Sequence, residues 1–343
     1  MAKFETHFIP QNKLPNGNYI CVYNGTKLVG KVKANGMIMP TLGEKLYSFG
    51  ALSDVHVTYG EFARERFINA IKFLTDEMKV AFTCISGDLT STGTADQFRS
   101  YISATETAKA QCVREAIIHD TTGNHDVEQG NATINYLQEY ADGKEPYASR
   151  PLYYSFTHGN DVFIMFGMTG WPGKNGNSVL FSADSMAWLE NTLNANKGKR
   201  IFLFEHCPYF TSADGVVTDG IGAVVGLPPP TGGYISSRNH DFMKLLSDNP
   251  NVIFFHGHTH IPFYRQADYS GLNYAPDLGV HIPSLATGRE QNADGGWINN
   301  NSESWGYVVD VYENHIVLRG RDFVGEKFLP IATYCLDTTP TDR

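Results

Sequence analysis

The stretch NVIFFHGHTH, residues 251–260, passes from an apolar run into His256, His258 and His260 at alternate positions. A short run such as VIFF, bounded by Asn251 and Gly257, reads as a buried strand. Histidine is not a favoured core residue, so its clustering at such a strand end has to be explained by what the rest of the chain brings to the same place.

Working outward, the same pattern recurs. RIFLFEH (200–206) and HDFMKLLSD (240–248) precede the stretch as strand and helix. LYSFGALSD (46–54) is an apolar run ending in Ser53 and Asp54, and GEFARERFINAIKFLTDEMK (60–79) follows it with Phe67, Ala70, Ile71, Leu74 and Met78 at helical spacing. VAFTCIS (80–86) leads into GDLTSTG and a helical stretch from about Ala95 to Ala108, and REAIIHDTTGNHD (114–126) gives a third strand with a polar end. LYYSF and DVFIMFGM read as adjacent strands, and SADSMAWLENTLNA as an amphipathic helix with Met186, Leu189 and Leu193 on one stripe and Trp188 in the core. WGYVVDVYENHIVLRGRDF (305–323) reads as an antiparallel hairpin turning at Glu313-Asn314. Near the start, NYICVY, Asn24-Gly25 and TKLVGKVK predict another, since Asn-Gly supplies the positive φ angles of a primed turn. Residues 1–46 are therefore read as a small β-rich extension, and 47–343 as one domain that includes a C-terminal hairpin region of about 304–330. Tyr209–Asn239, rich in Gly, Pro, Ser and Thr, reads as a long lid or binding loop.

Composition narrows the class. The chain has 343 residues, 42% hydrophobic and 18% charged, enough for a sizeable core. Its formal net charge of −9 and lack of a basic run argue against long nucleic acid and a polybasic membrane surface. No window approaches the roughly 20 apolar residues of a membrane span. The start, MAKFETHFIPQNK, lacks an apolar signal core, which predicts a cytoplasmic protein. The five cysteines are odd in number and never in CxxC spacing, which predicts reduced thiols.

The polar residues fall at five strand ends: Asp54 and His56, then Asp88, then Asn124, His125 and Asp126, then His206, then His258 and His260. Each piece alone is an ordinary turn or a lone histidine. Together they place five of the twelve histidines where loops converge at the carboxyl ends of strands. Oxygen and nitrogen ligands without sulfur disfavour a structural zinc site and suit Mn, Fe, Zn or Co in open coordination. Seven such groups are too many for one ion. They suit two ions roughly 3.5–4 Å apart, the arrangement of two-metal phosphate-ester hydrolysis.

In SDVH, GDLTSTG, GNHD, EHCP and GHTH, in that order, the chain resembles the calcineurin-like metallophosphoesterases over roughly residues 47–265, nearest the cyclic-nucleotide and glycerophosphodiester phosphodiesterase branch. The resemblance implies a four-layer α/β/β/α sandwich, where periodicity alone gives α/β with extra antiparallel strands near both termini. It implies one metal ion on Asp54, His56, Asp88 and His260 and a second on Asp88, Asn124, His206 and His258, with Asp88 bridging. It implies His125 as the residue that protonates the leaving oxygen or stabilises the phosphorane, with Asp126 orienting its ring; His256 stands outside the family pattern and reads as a structural histidine or one that supports a ligand.

Departures refine the expectation. GDLTSTG and GNHD differ from the GDxVDRG and GNHE of protein phosphatases, and Ser91 stands where purple acid phosphatases carry tyrosine. The phosphodiesterase branch often has Asp at the position of Ser91 and His at that of Glu205, which leaves the substrate open. The expected activity is hydrolysis of a small phosphate ester, a diester first, with no long nucleic acid or membrane as partner. A phosphomonoesterase, a nucleotide pyrophosphatase or a binding scaffold of the same fold are the alternatives. Tyr209, Phe210, Trp171 and Trp297 are candidates to stack on a substrate ring.

Overall fold

The computed structural model describes residues 19–24, 27–33, 44–129, 152–170, 181–207, 210–211, 217–218, 237–249, 251–260, 262–263, 280–291 and 297–338. Among them β1 (Tyr19–Asn24) and β2 (Lys27–Lys33) pair antiparallel with Asn24 opposite Lys27, the hairpin expected around Asn24-Gly25. They form a two-stranded sheet of their own.

Two larger sheets carry the rest. The first is nucleated by parallel strands β3 (Lys45–Leu52), β4 (Thr83–Ser86) and β5 (Ile118–Thr121). Helix α1 (Glu61–Lys72), continued by a π-helical turn at Phe73–Glu77, and α2 (Ala95–Gln111) make the crossovers. The second sheet holds β6 (Tyr153–His158), β7 (Asp161–Phe166), β8 (Ile201–Phe204), β11 (Val252–His256) and β12 (Val280–His281), all parallel except β6. Its crossover helices are α3 (Ala183–Ala195), capped by the Ser182 hydroxyl accepting from the Ser185 N–H, and α4 (Ser237–Asp248). Two short ladders, β9 (Phe210–Thr211) with β10 (Val217–Thr218) and β13 (Gly288–Gln291) with β14 (Trp297–Asn300), lie between elements. Strands β15 (Trp305–Tyr312), β16 (His315–Asp322) and β17 (Lys327–Asp337) then return to the first sheet, β15 pairing antiparallel with β3.

Strand alternation divides the apolar residues between faces. Phe163, Met165, Phe202 and Phe204 join Phe49, Phe82 and Phe255 in one buried cluster drawn from both sheets. Their neighbours Val162, Ile164, Phe166, Ile201 and Leu203 instead meet Met186, Leu189 and Leu193 of α3 and Phe242 of α4. Leu52, Ile85 and Ile118 likewise meet Phe67, Ile71, Phe98 and Tyr101 of α1 and α2. Buried on both faces, the parallel strands read as continuous apolar runs for that reason.

The structure differs from the sequence reading in three places. β17 adds a third antiparallel strand to the expected C-terminal hairpin. The segment from Tyr209 is not wholly loop, since it contains the β9–β10 ladder and ends where α4 begins at Ser237. Trp188 is only partly buried, lying against Tyr153 and Phe166 at the edge of its cluster. Tyr209 and Trp171 lie outside the described residues, as do the side chains of Phe210 and Trp297.

Candidate metal centre

The turns that end β3, β4 and β11 are bent sharply and at a cost. Asp54, His56, Asp88, His258 and His260 all have positive φ, between 35° and 73°. Only two other described non-glycine residues do, Lys79 and Glu326. Each such backbone costs about 1–3 kcal/mol and persists only where its surroundings over-determine it. Here they do. Asp54 and His56 donate their N–H groups to the carbonyls of Gly87 and Asp88, lacing the β3 turn to the β4 turn. The Leu285 and Ala286 N–H groups bond to the Ser53 and Asp54 carbonyls, and the Ser284 hydroxyl donates to Asp54 O at 2.9 Å. Ser86 seals the two sheets beneath the site, its hydroxyl donating to Glu205 O at 2.7 Å.

These turns converge their side chains. Asp54, His56, Asp88 and His260 each offer a ligand atom to one group whose atoms lie within 4.8 Å of one another, and Asp88, His206 and His258 form a second. Asp88 belongs to both. Asn124, the remaining expected ligand, places its Oδ1 2.9 Å from His258 Nδ1. Both carboxylates are split in function: Asp54 Oδ2 accepts from His258 N and Asp88 Oδ1 from His125 N, each at 3.0 Å. Their other oxygens face imidazoles, Asp54 Oδ1 at 3.0 Å from His260 Nε2 and Asp88 Oδ2 at 3.1 Å from His206 Nε2.

The donor set fits a cation. His56 and His206 turn Nδ1 to the Thr90 and Ser86 carbonyls, at 2.9 and 2.7 Å, which fixes a proton there and turns Nε2 toward the carboxylates, bare on the neutral His56 ring. The bare His56 Nε2 lies 3.3 Å from His260 Nε2, a juxtaposition that a shared positive ion explains. Burial holds the pKa of His56 down to about 4 and that of His258 to about 3, so both rings are neutral, as ligands must be. Burial opposes charge on Asp54 and Asp88 too, but the neighbouring histidines outweigh it and hold both carboxyls below their ordinary range. Burial would also discharge His206, yet Asp88 and then Asp54 dominate and push it up to about 10.

One assignment changes. Asp126 does not orient the His125 ring. Its buried carboxylate accepts from Leu89 N, Thr90 N, the Thr90 hydroxyl and Gly123 N, at 2.8–3.0 Å, and so ties the GDLT turn to the GNHD turn. The carboxylate beside His125 is that of Glu128, with Oε1 3.5 Å from Nδ1. His256, as expected, belongs to neither donor group and is buried against Phe254 and His281. Ser284 and Glu128 escaped the sequence reading. A serine after a two-residue strand and a glutamate in a turn carry no spacing signal.

Comparison with known proteins places this geometry. The family model described as calcineurin-like phosphoesterase matches residues 47–262. Against curated protein sequences no match was found. Among solved structures, GAP50, the anchor in the inner membrane complex of Plasmodium, is 14% identical with a TM-score of 0.53, covering 86% of this chain and 89% of its own. A conserved uncharacterized protein of Streptococcus pneumoniae, a predicted phosphoesterase, is 11% identical with a TM-score of 0.36, covering 85% of this chain and 97% of its own. Vacuolar protein sorting 29 of Cryptosporidium parvum is 11% identical with a TM-score of 0.35, covering 86% of this chain and 100% of its own. With its mixed α/β fold of two main sheets, its Asp and His groups at the strand ends and a family match over most of its length, the chain belongs to the calcineurin-like phosphoesterase family.

Proposed function

We propose that the protein is a two-metal phosphoesterase that hydrolyses a small phosphate ester, a diester in preference to a monoester. The observation that carries the reading is Asp88, whose carboxylate is common to both donor groups. Asp54, His56, Asp88 and His260 would hold one ion, and Asp88, Asn124, His206 and His258 the other. When bound, such a pair lowers the pKa of a water and neutralises charge on the phosphoryl oxygens. Manganese, iron or zinc suits the mixed carboxylate and imidazole set.

The chain's own residues do the rest. His125 is half-exposed beside these ligands, its ring edge-on to that of His56 at 5.2 Å. It delivers a proton to the departing alkoxide, a contribution of about 10²- to 10⁴-fold. The Thr90 and Ser86 carbonyls keep His56 and His206 in the ligating tautomer. The same fold also serves as an anchor in Plasmodium, which keeps a non-catalytic reading testable.

The test is hydrolysis of bis-p-nitrophenyl phosphate against p-nitrophenyl phosphate, after stripping metal and adding back manganese. The diester is expected to turn over faster, and Asp88→Asn to lose both turnover and the paired-metal stoichiometry. A monoester preference would redirect the reading to a phosphatase. Turnover of neither ester would favour the anchor-like reading, and a full-rate Asp88→Asn would refute the bridging role.

A further inference from the structure

We infer that Glu128 is the positioning residue for His125, holding the imidazole through Nδ1 so that Nε2 faces the leaving group. The inference rests on the proposed phosphoesterase reading and assigns one step within it. The Glu128 carboxylate approaches Nδ1 to 3.5 Å, from three residues further along the chain. Nδ1 is itself buried and makes no hydrogen bond, although the His125 side chain is 39% exposed. The exposure of the side chain therefore comes from atoms other than Nδ1. Two other carboxylates of the site are turned to different partners. Asp126 accepts from Leu89, Thr90 and Gly123, and Asp88 takes the His125 backbone N–H on Oδ1 and faces His206 with Oδ2.

A closure of about 0.6–0.8 Å makes the contact a charge-assisted hydrogen bond, which fixes the ring and its Nδ1 proton. As the bond from phosphorus to the leaving oxygen breaks, its electron pair goes to that oxygen, which takes the Nε2 proton. His125 is left neutral with its proton on Nδ1, and solvent returns the lost proton. The glutamate touches no substrate atom, so its effect should scale with how much the leaving group needs a proton.

The experiment compares wild type, Glu128→Gln and Glu128→Asp, all manganese-loaded, on a phosphodiester with a p-nitrophenolate leaving group and one with an alkoxide leaving group. Glu128→Gln is expected to lose about 10²-fold in kcat/KM on the alkyl ester and less than about tenfold on the p-nitrophenyl ester, with metal content intact. Glu128→Asp should recover part of the alkyl activity. Equal losses on both esters, or no loss on either, would overturn the assignment. In ¹⁵N-labelled protein, at a pH where the ring has lost its second proton, His125 should show a predominantly Nδ1-protonated tautomer in wild type and a mixed one in Glu128→Gln. An unchanged tautomer overturns the assignment without reference to turnover. Wild-type protein inactive on both esters would fault the phosphoesterase reading instead, and the tautomer measurement would still judge Glu128.

Discussion

Gly257 lies where the β11 turn passes against Ser53 and Asp54, and a Cβ there would strike the Ser53 hydroxyl and the Asp54 carboxylate. Gly257→Ala is therefore expected to cost about 1–3 kcal/mol of stability and to lower metal affinity, both readable by urea denaturation and metal titration. His281 makes a different residue-scale prediction. Burial, reinforced by His256, holds its pKa well below the usual value, with Nε2 2.6 Å from the Thr259 hydroxyl between two expected ligands. The folded state keeps this ring neutral while the unfolded chain protonates it near pH 6.5, so its contribution is complete above about pH 6.5 and lost as pH falls below it. Urea denaturation of metal-free protein at pH 7 and pH 5 should show stability falling, by up to about 1.4 kcal/mol per pH unit from this group. The slope should flatten in His281→Gln.

Among the elements, the strand ends opposite the metal centre are held by one buried ion pair. Arg200, just before β8, makes a two-bond pair with Asp161 at the start of β7, at 3.0 and 2.7 Å. Tyr47 of β3 donates to the same carboxylate at 2.5 Å, and Arg200 also reaches Tyr312 O at the end of β15 and the Thr338 hydroxyl just past β17. Five strands from both sheets are thus tied at one point. Removing one partner leaves a buried charge uncompensated, so Arg200→Met is expected to cost about 3–5 kcal/mol, checked by equilibrium urea unfolding. The metal stoichiometry should stay unchanged, because the network and the donors sit at opposite ends of the strands.

For the molecule as a whole, the ligands come from β3, β4 and β5 of one sheet and β8 and β11 of the other. Bound ions would cross-link the two sheets above the Phe49, Phe163, Phe202 and Phe255 cluster. Metal should then stabilise the fold by linkage, about 2.7 kcal/mol at a hundredfold excess over Kd. Calorimetry with added manganese against chelator should show the melting temperature rise, and an unchanged transition would contradict binding between the sheets. Phe49, which is fully buried and packs edge-on to Phe163 and Phe202, tests the same seam from below. Phe49→Ala should cost about 3–5 kcal/mol in chemical denaturation.

The sequence by itself determined the α/β alternation, because strands buried on both faces must be apolar runs and their crossover helices amphipathic. It also determined the identity of the converging polar residues, since Asp54, Asp88, Asn124, His206 and His258 each stand directly after such a run. Both hairpins were legible from their turns. Only the tertiary structure decided which strands share a sheet, the return of β15 to β3 across more than two hundred residues, and the addition of β17. It alone showed that Asp126 ties two turns together while Glu128 stands at the His125 ring, and that Ser284 supports the strained Asp54 turn. The physical reason is range. Periodicity and turn chemistry are local and repeat along the chain, whereas a hydrogen bond from Ser284 to Asp54 spans the whole fold and leaves no spacing to read.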